Sequence, residues 1–331
     1  MDYDSPAANA QDILRRNYFC DGHADTLAMV ALKGYDLASL EPDGHLSLPR
    51  LEGIDQNLQF LAIFVAPSVR GSRGFLEALT VASAAHRLKL PLVRSRADLE
   101  RSRRSSRPHF LLSLEGAGPL QGDLGRLEIL FHLGLRAVGL THNHDNQAAA
   151  GCGSPMAPPP TGFRGLRPFG RRLIARMNEL GMVVDVAHLA RKAFYQVLEV
   201  ASRPVINSHT CCARFVNIER NFDDSQLRAL ASTGGLAAVT YVPRFLKSEG
   251  PVTSEDVLRH LEHMVELMGV EHVALGSDFD GVSELPTDLG HPGQVVNLVE
   301  RMLRSGWREP DIARVLGGNW LRVLRQVLPQ E

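Results

Sequence analysis

Eight short apolar runs rich in Val, Ile, Leu and Phe recur along this chain, each separated from the next by far more residues than a hairpin turn uses. They extend from Tyr18 to Asp25, Asn57 to Ala66, His109 to Glu115, Leu135 to His142, Met182 to His188, Pro204 to His209, Gly235 to Val242 and His272 to Asp278. Between most of them lie segments with apolar residues at helical spacing: Phe75 to Leu90, Gly170 to Leu180, Leu189 to Ala201, Asp223 to Ser232 and Ser254 to Met268. Strands that alternate with helices pair in parallel, and eight of them predict a closed (β/α)8 TIM-type barrel. The open doubly wound sheet competes, but its glycine fingerprint is missing, because Glu115-Gly-Ala-Gly118 runs into Pro119 where a further spaced glycine is required.

A length of 331 residues is ordinary for a barrel, so one domain spanning 1–331 is expected. Pro292 to Gly306 and Glu309 to Leu328 then read as additional C-terminal helices, the second interrupted at Gly317-Gly318. Two segments break the alternation. Gly151 to Pro168, with Pro155, Pro158, Pro159 and Pro160, predicts a long irregular loop that walls or covers the barrel mouth. Arg94 to Arg107 is basic but has no interleaved aromatics, and it reads as a solvated helix rather than a nucleic-acid patch.

Bulk properties remove whole classes of function. Lys and Arg total 36 against 37 Asp and Glu, so no global field draws in nucleic acid or an acidic membrane surface. The cysteines Cys20, Cys152, Cys211 and Cys212 include an adjacent pair that could bridge only with strain, which suits a reducing compartment better than a disulfide framework. The opening Met1-Asp-Tyr-Asp-Ser-Pro lacks the basic and apolar segments of a signal peptide, and the closing Leu-Pro-Gln-Glu331 lacks a lipid-anchor signal. No apolar run reaches the roughly eighteen residues of a membrane span. The expectation is a cytoplasmic protein with neither nucleic-acid nor membrane partners.

The apolar runs close on acids and imidazoles: the pair His23 and Asp25 in Asp21-Gly-His-Ala-Asp25, then Glu115, His142, His188, His209 and Asp278. His23 and Asp25 are two apart and on a strand would share a face. In a parallel barrel all the carboxyl ends of the strands meet on one rim, which turns scattered residues into one site. Its mixed nitrogen and oxygen donors suit zinc or a similar divalent ion. Glu115 could give one oxygen to each of two ions, with His23 and Asp25 completing one shell and His188 and His209 the other. Two such ions make water a nucleophile at neutral pH, and Asp278 at the end of the eighth run is placed to move its proton.

The residues carry a resemblance as well. Asp21-Gly-His-Ala-Asp25, Ser113-Leu-Glu-Gly-Ala117, Leu140-Thr-His-Asn143, Asp185-Val-Ala-His188, Asn207-Ser-His-Thr210, Arg220-Asn-Phe-Asp-Asp224 and Gly276-Ser-Asp-Phe-Asp-Gly281 stand in the order found in the membrane (renal) dipeptidase family, and the chain resembles these metallopeptidases of the amidohydrolase superfamily. The resemblance implies two zinc ions per subunit, one held by His23, Asp25 and Glu115 and the other by Glu115, His188 and His209. It implies that His142 hydrogen-bonds the scissile carbonyl or its oxyanion, that Asp278 rather than Asp280 shuttles the proton, and that Arg220 binds the terminal carboxylate of a small dipeptide, in which a D-residue can follow the L-residue. It also implies a homodimer. Thr240-Tyr-Val-Pro243 departs from the Asn-Phe-Tyr-Pro of many relatives, so side-chain preference does not carry over.

Asp185 reads as a supporting acceptor, and His144 is left open between the same mouth and ordinary surface. His45, His86, His109, His132, His260, His263, His272 and His291 read as structural. Two other functions use the same residues: an amidase or lactamase acting on a modified amino acid, and a metal-binding protein without turnover, the latter disfavoured because it needs no proton carrier at position 278.

Overall fold

The computed structural model describes residues 6–331 apart from 42, 156, 158 and 159. The readings of the first five residues and of Met156, Pro158 and Pro159 in the irregular loop therefore lie outside the described residues. Eight strands form the closed parallel barrel that the alternation predicts: β1 (Phe19–Asp21), β2 (Asn57–Phe64), β3 (His109–Glu115), β4 (Leu135–Gly139), β5 (Val183–Asp185), β6 (Ile206–Thr210), β7 (Leu236–Val239) and β8 (Val273–Leu275). Each pairs with its sequence neighbour, and Asp21 opposite Leu275 closes the ring.

Strand residues alternate between two cores. Inward-facing Cys20, Leu58, Phe60, Leu111, Ile206 and Ala274 form one buried cluster with Trp320, Leu321 and Leu324. Leu61, Ile63, Leu112, Leu114, Val138 and Val239 face outward and pack with helix residues such as Ala82, Leu127, Leu173 and Phe194. Burial on both faces is why the strands read as unbroken apolar runs rather than as alternating ones.

Helices Thr26–Lys33, Ser72–Arg87, Leu124–His132, Pro168–Leu180, Arg191–Val200, Asp224–Ser232 and Ser254–Met268 carry the crossovers. Their ends follow local chemistry. Asp223 accepts from the Gln226 N–H while Gln226 bonds back to Asp223, and Thr253 and Asp256 do the same, giving two reciprocal caps. Within the basic stretch only Arg96–Ser102 is helical, capped by Ser95. After β8 the expected second helix is divided into Glu309–Ala313, a π-type turn at Arg314–Gly318 and Asn319–Val327, so the Gly317-Gly318 interruption is a change of helical pitch.

The last of these helices supplies the barrel floor. The Trp320 ring lies 4.8 Å from that of Phe60, and its indole N–H donates to the Leu275 carbonyl at 3.2 Å. A Cβ at position 22 would sit 2.3 Å from the Trp320 ring and 2.7 Å from the Ser208 carbonyl, so only glycine fits where β1 passes over this indole.

One expectation is corrected. The first, fourth, fifth and eighth runs do not remain strands to Asp25, His142, His188 and Asp278; the ladders end at Asp21, Gly139, Asp185 and Leu275, and between the first and eighth runs only an isolated bridge, Ala24 to Phe279, lies beyond. Past the rim the backbone turns out towards the next helix, with His188 at φ 62° and Asp278 at φ 69°, a conformation in which no ladder continues. His23 and Asp25 consequently do not share a strand face: Asp25 is the cap residue of the helix Thr26–Lys33, and its N–H is held by the Phe279 carbonyl at 2.8 Å.

All four cysteines are free and buried. Among the described residues no helix is long and apolar enough to cross a membrane.

Candidate active site

The turns after the strands gather the expected side chains above the indole floor. Glu115, the last residue of β3, places Oε1 3.0 Å from His188 Nε2, 3.6 Å from His209 Nε2 and 3.7 Å from His23 Nε2. His23 Nε2 is in turn 3.7 Å from an Asp25 oxygen and 3.9 Å from an Asp278 oxygen. Three sets of donor atoms each close to within 4.8 Å: His23, Glu115 and His209; Glu115, His142 and His188; and His23, Asp25 and Asp278. The structure thus brings all seven side chains into one cluster, with Glu115 and His23 each shared between two sets.

The donors fit a divalent metal. His188 Nδ1 faces the Asn143 side-chain oxygen at 2.8 Å and His209 Nδ1 faces Ser208 Oγ at 2.8 Å, which turns both Nε2 atoms into the cluster, where an Arg220 nitrogen lies 3.2 Å from that of His188. Those two Nε2 atoms are 2.9 Å apart, close enough to share one proton or to ligate one cation. His23 Nε2 and Asp25 Oδ1 are buried without hydrogen-bond partners.

The electrostatics suit a metal at His188 and His209 and show that an ion would have to displace a proton at His23. Burial drives Glu115 and Asp278 above the ordinary carboxylate range, only partly offset by the charge of His23. Burial opposes protonation of His23, yet Glu115 and Asp25 outweigh it and push the ring up to about 10. Burial holds His188 and His209 well below the usual imidazole range, as ligands require.

His142 sits three residues past β4, its ring 5.1 Å from that of Phe64 and 4.5 Å from that of His188. Burial and then the nearby Arg220 guanidinium lower it to about 4, so it is a neutral N–H donor, and its Nδ1 is unpartnered. Arg220 is only 2 % exposed. One of its terminal nitrogens donates to the His209 carbonyl at 2.7 Å, while Nε and the other terminal nitrogen are buried without partners. An arginine left with two unsatisfied donors at the edge of a cleft is equipped for an anion.

Asp185, read from the sequence as a support, accepts the Ala187 and Ser208 N–H groups at 3.0 Å each and the Ser208 hydroxyl at 2.5 Å. Asp21 holds Ser277 in the same manner, through its N–H at 2.7 Å and its hydroxyl at 2.6 Å. Sequence reasoning assigned nothing to Asn143, Ser208, Asp21 or Ser277, although each stands beside or two residues from a predicted site residue.

One cleft opens on the cluster, and a second reaches Arg220 without touching any of the seven side chains. The first, of about 760 Å³, is lined by Glu115, His142, the Val65–Gly71 segment and His144, which settles His144 at the mouth. The other, of about 490 Å³, lies between the base of the 151–168 loop and Arg220. The described residues of that loop are irregular as predicted, and its start is pinned to the site, with the Cys152 N–H donating to the His188 carbonyl at 2.7 Å.

A closed parallel barrel with a buried histidine and carboxylate cluster on its carboxyl rim defines a metal-dependent hydrolase of the amidohydrolase type. Residues 7–330 match the family model of the membrane dipeptidases, peptidase family M19, and the chain belongs to that family of metallo-dipeptidases. It is 35% identical over 256 residues, 76% of this chain and 93% of the other, to an uncharacterized Klebsiella pneumoniae protein encoded in the pqqA 5' region. Among solved structures it resembles dipeptidase AC, a family M19 metallopeptidase, with TM-score 0.86 and 26% identity over 95% of this chain and 99% of that one. It also resembles a Rhodobacter sphaeroides metallopeptidase liganded with a phosphinate mimic of the dipeptide L-Ala-D-Ala, with TM-score 0.83 and 26% identity over 94% and 99% of the two chains. The probable dipeptidase PvdM of Pseudomonas aeruginosa shares the fold, with TM-score 0.88 and 19% identity over 98% and 99%.

Proposed function

We propose that this protein hydrolyses small dipeptides, L-Xaa-L-Xaa or L-Xaa-D-Xaa, with two zinc ions. The observation that carries the reading is Glu115, whose one oxygen lies within 3.7 Å of three imidazole nitrogens from three different strands or turns. On this reading His23, Asp25 and Glu115 hold one ion, and Glu115, His188 and His209 hold the second. When bound, such a pair supplies Lewis acidity and a water made nucleophilic at neutral pH.

The chain's own residues do the rest. Arg220 offers its unpartnered nitrogens to the terminal carboxylate, which fixes the substrate by its end and limits it to one residue beyond the scissile bond. Neutral His142 donates an N–H to the carbonyl oxygen as charge grows there. Asp278, whose burial favours the protonated form, takes a proton on the nucleophile's side and returns it to the leaving amine. The L-Xaa-D-Xaa option is supported by the dipeptide mimic bound to the Rhodobacter sphaeroides relative.

The test joins metal analysis with a dipeptide panel. The wild-type chain is expected to hold two zinc equivalents and to cleave L,L or L,D dipeptides, whereas Asp278→Asn keeps its zinc and loses about 10²–10⁴ in kcat. Full activity in Asp278→Asn would remove the assigned role. Turnover of modified amino-acid amides with none on dipeptides would replace the substrate class.

A further inference from the structure

Asp185 and Ser208 form a proton-orienting strap between β5 and β6. Ser208 Oγ is 2.5 Å from Asp185 Oδ2 and 2.8 Å from His209 Nδ1, and it has one hydrogen to give. A carboxylate only accepts, so that hydrogen points at Asp185, and the remaining contact works only if His209 Nδ1 carries the N–H. A metal-ligating imidazole is neutral with a single N–H, so the Nε2 lone pair is thereby aimed at Glu115 and His188.

The equivalent pair on the opposite side of the barrel shows what is particular here. Asp21 grips Ser277 through the same two bonds, but the Ser277 oxygen then accepts the Phe279 N–H at 3.1 Å, so that strap fixes backbone in the turn carrying Asp278. Only the β5/β6 copy ends on an imidazole.

We infer that Asp185 and Ser208 are positioning residues that select the His209 tautomer and so decide whether the Glu115, His188 and His209 set can hold an ion. The inference rests on the metal reading of the site, but its sharpest consequence appears without metal. Asp185 Oδ1 accepts two backbone N–H groups, so in Asp185→Asn the amide oxygen must stay there, and the NH₂ group falls against Ser208 Oγ. That reverses the strap: the serine oxygen accepts from Asn, its hydrogen turns to His209 Nδ1, and the ring is forced to carry its N–H on Nε2. Ser208→Ala merely removes the constraint and leaves both tautomers open. A nearly isosteric change two bonds from the ring is therefore predicted to do more harm than deleting the group that touches it.

The experiment uses full-length protein with ¹⁵N-labelled histidine. The His209 signals are identified by their loss in His209→Gln, and zinc affinity is read by competition with a chromophoric chelator. Expected are Nδ1–H in metal-free wild type, Nε2–H in Asp185→Asn and a mixture in Ser208→Ala. One of the two zinc equivalents weakens about 10–100-fold in Ser208→Ala and further in Asp185→Asn, and the other is unchanged. Retention of Nδ1–H in Asp185→Asn, or an unaltered second equivalent in Ser208→Ala, overturns the inference. Should Asp185→Asn not fold, the Ser208→Ala affinity decides alone. A wild-type chain that takes up no zinc would overturn the function instead, because the tautomer is still read in the metal-free protein.

Discussion

Gly281 is the position where adding one methyl group tests the geometry of the site most directly. It lies just past Asp278, and a Cβ built on it would sit 2.3 Å from an Asp278 oxygen and 2.4 Å from an Asp25 oxygen. Ordinary contact begins near 3.4 Å, so in Gly281→Ala both carboxylates must retreat by about 1 Å. One of them is a proposed zinc ligand and the other the proposed proton carrier. Displacements of about 1 Å at reacting groups cost ~10²-fold in rate, which at 1.36 kcal/mol per decade is about 3 kcal/mol of transition-state stabilisation. The backbone at 281 is not in the left-handed region and the residue is exposed, so the fold itself tolerates alanine. The assay is kcat/KM on the best dipeptide, with zinc content and urea unfolding measured alongside. Gly118→Ala is the control for an added methyl group lining the cleft, because nothing lies within 4 Å of its Cβ. A Gly281→Ala enzyme with wild-type kcat/KM and full zinc occupancy would refute the claim that Asp25 and Asp278 act where the structure places them.

Arg220→Lys should raise KM for dipeptides about 10–100-fold with a smaller change in kcat, since one of two charge-assisted bonds to the carboxylate is lost; an equal effect on amides lacking that carboxylate would reassign the residue. His260 accepts the Cys212 N–H at 2.9 Å and donates to the Leu246 carbonyl at 3.0 Å, and burial lowers its pKa to about 4. Its folded pKa lies below the unfolded value of about 6.5, so its contribution is intact above pH 6.5 and is lost as the pH falls towards 4, by about 3 kcal/mol over the whole window. Urea unfolding of His260→Gln should accordingly show a drop between pH 7 and 4.5 that is about 2–3 kcal/mol smaller than in wild type, and an identical drop would place the acid sensitivity elsewhere.

The barrel was legible because burial on both faces imposes apolar runs and parallel pairing imposes long crossovers, and both leave marks in one dimension. The clustered acids and imidazoles were legible for a related reason: whatever ends a barrel strand meets whatever ends the others. The route by which His23 and Asp25 meet was misread. Strand periodicity put them on a common face, whereas a turn and a helix cap do so, and nothing in Gly-His-Ala-Asp announces where pairing stops. The positive φ of His188 and Asp278 is equally silent, since neither is glycine. Asp185 was recognisable as a support but not its beneficiary: it lies three residues from His188 yet acts through Ser208 beside His209, a juxtaposition that exists only once β5 and β6 are side by side. Arg220 read as an ordinary loop arginine apart from the resemblance, and its burial and unpaired nitrogens are tertiary facts.

The indole of Trp320 under the site also sets an order of events during synthesis. Every proposed ligand lies between His23 and His209, so a ribosome has delivered all of them well before it delivers the floor. Until the helix Asn319–Val327 emerges, the interior cluster lacks its largest side chain and Gly22 faces the Ser208 carbonyl without the indole beneath it. A nascent chain stalled after β8 therefore possesses the donors without the surface that levels them. On the proposed metal reading, an ion offered at that stage would meet imidazoles and carboxylates that the floor does not yet hold in place.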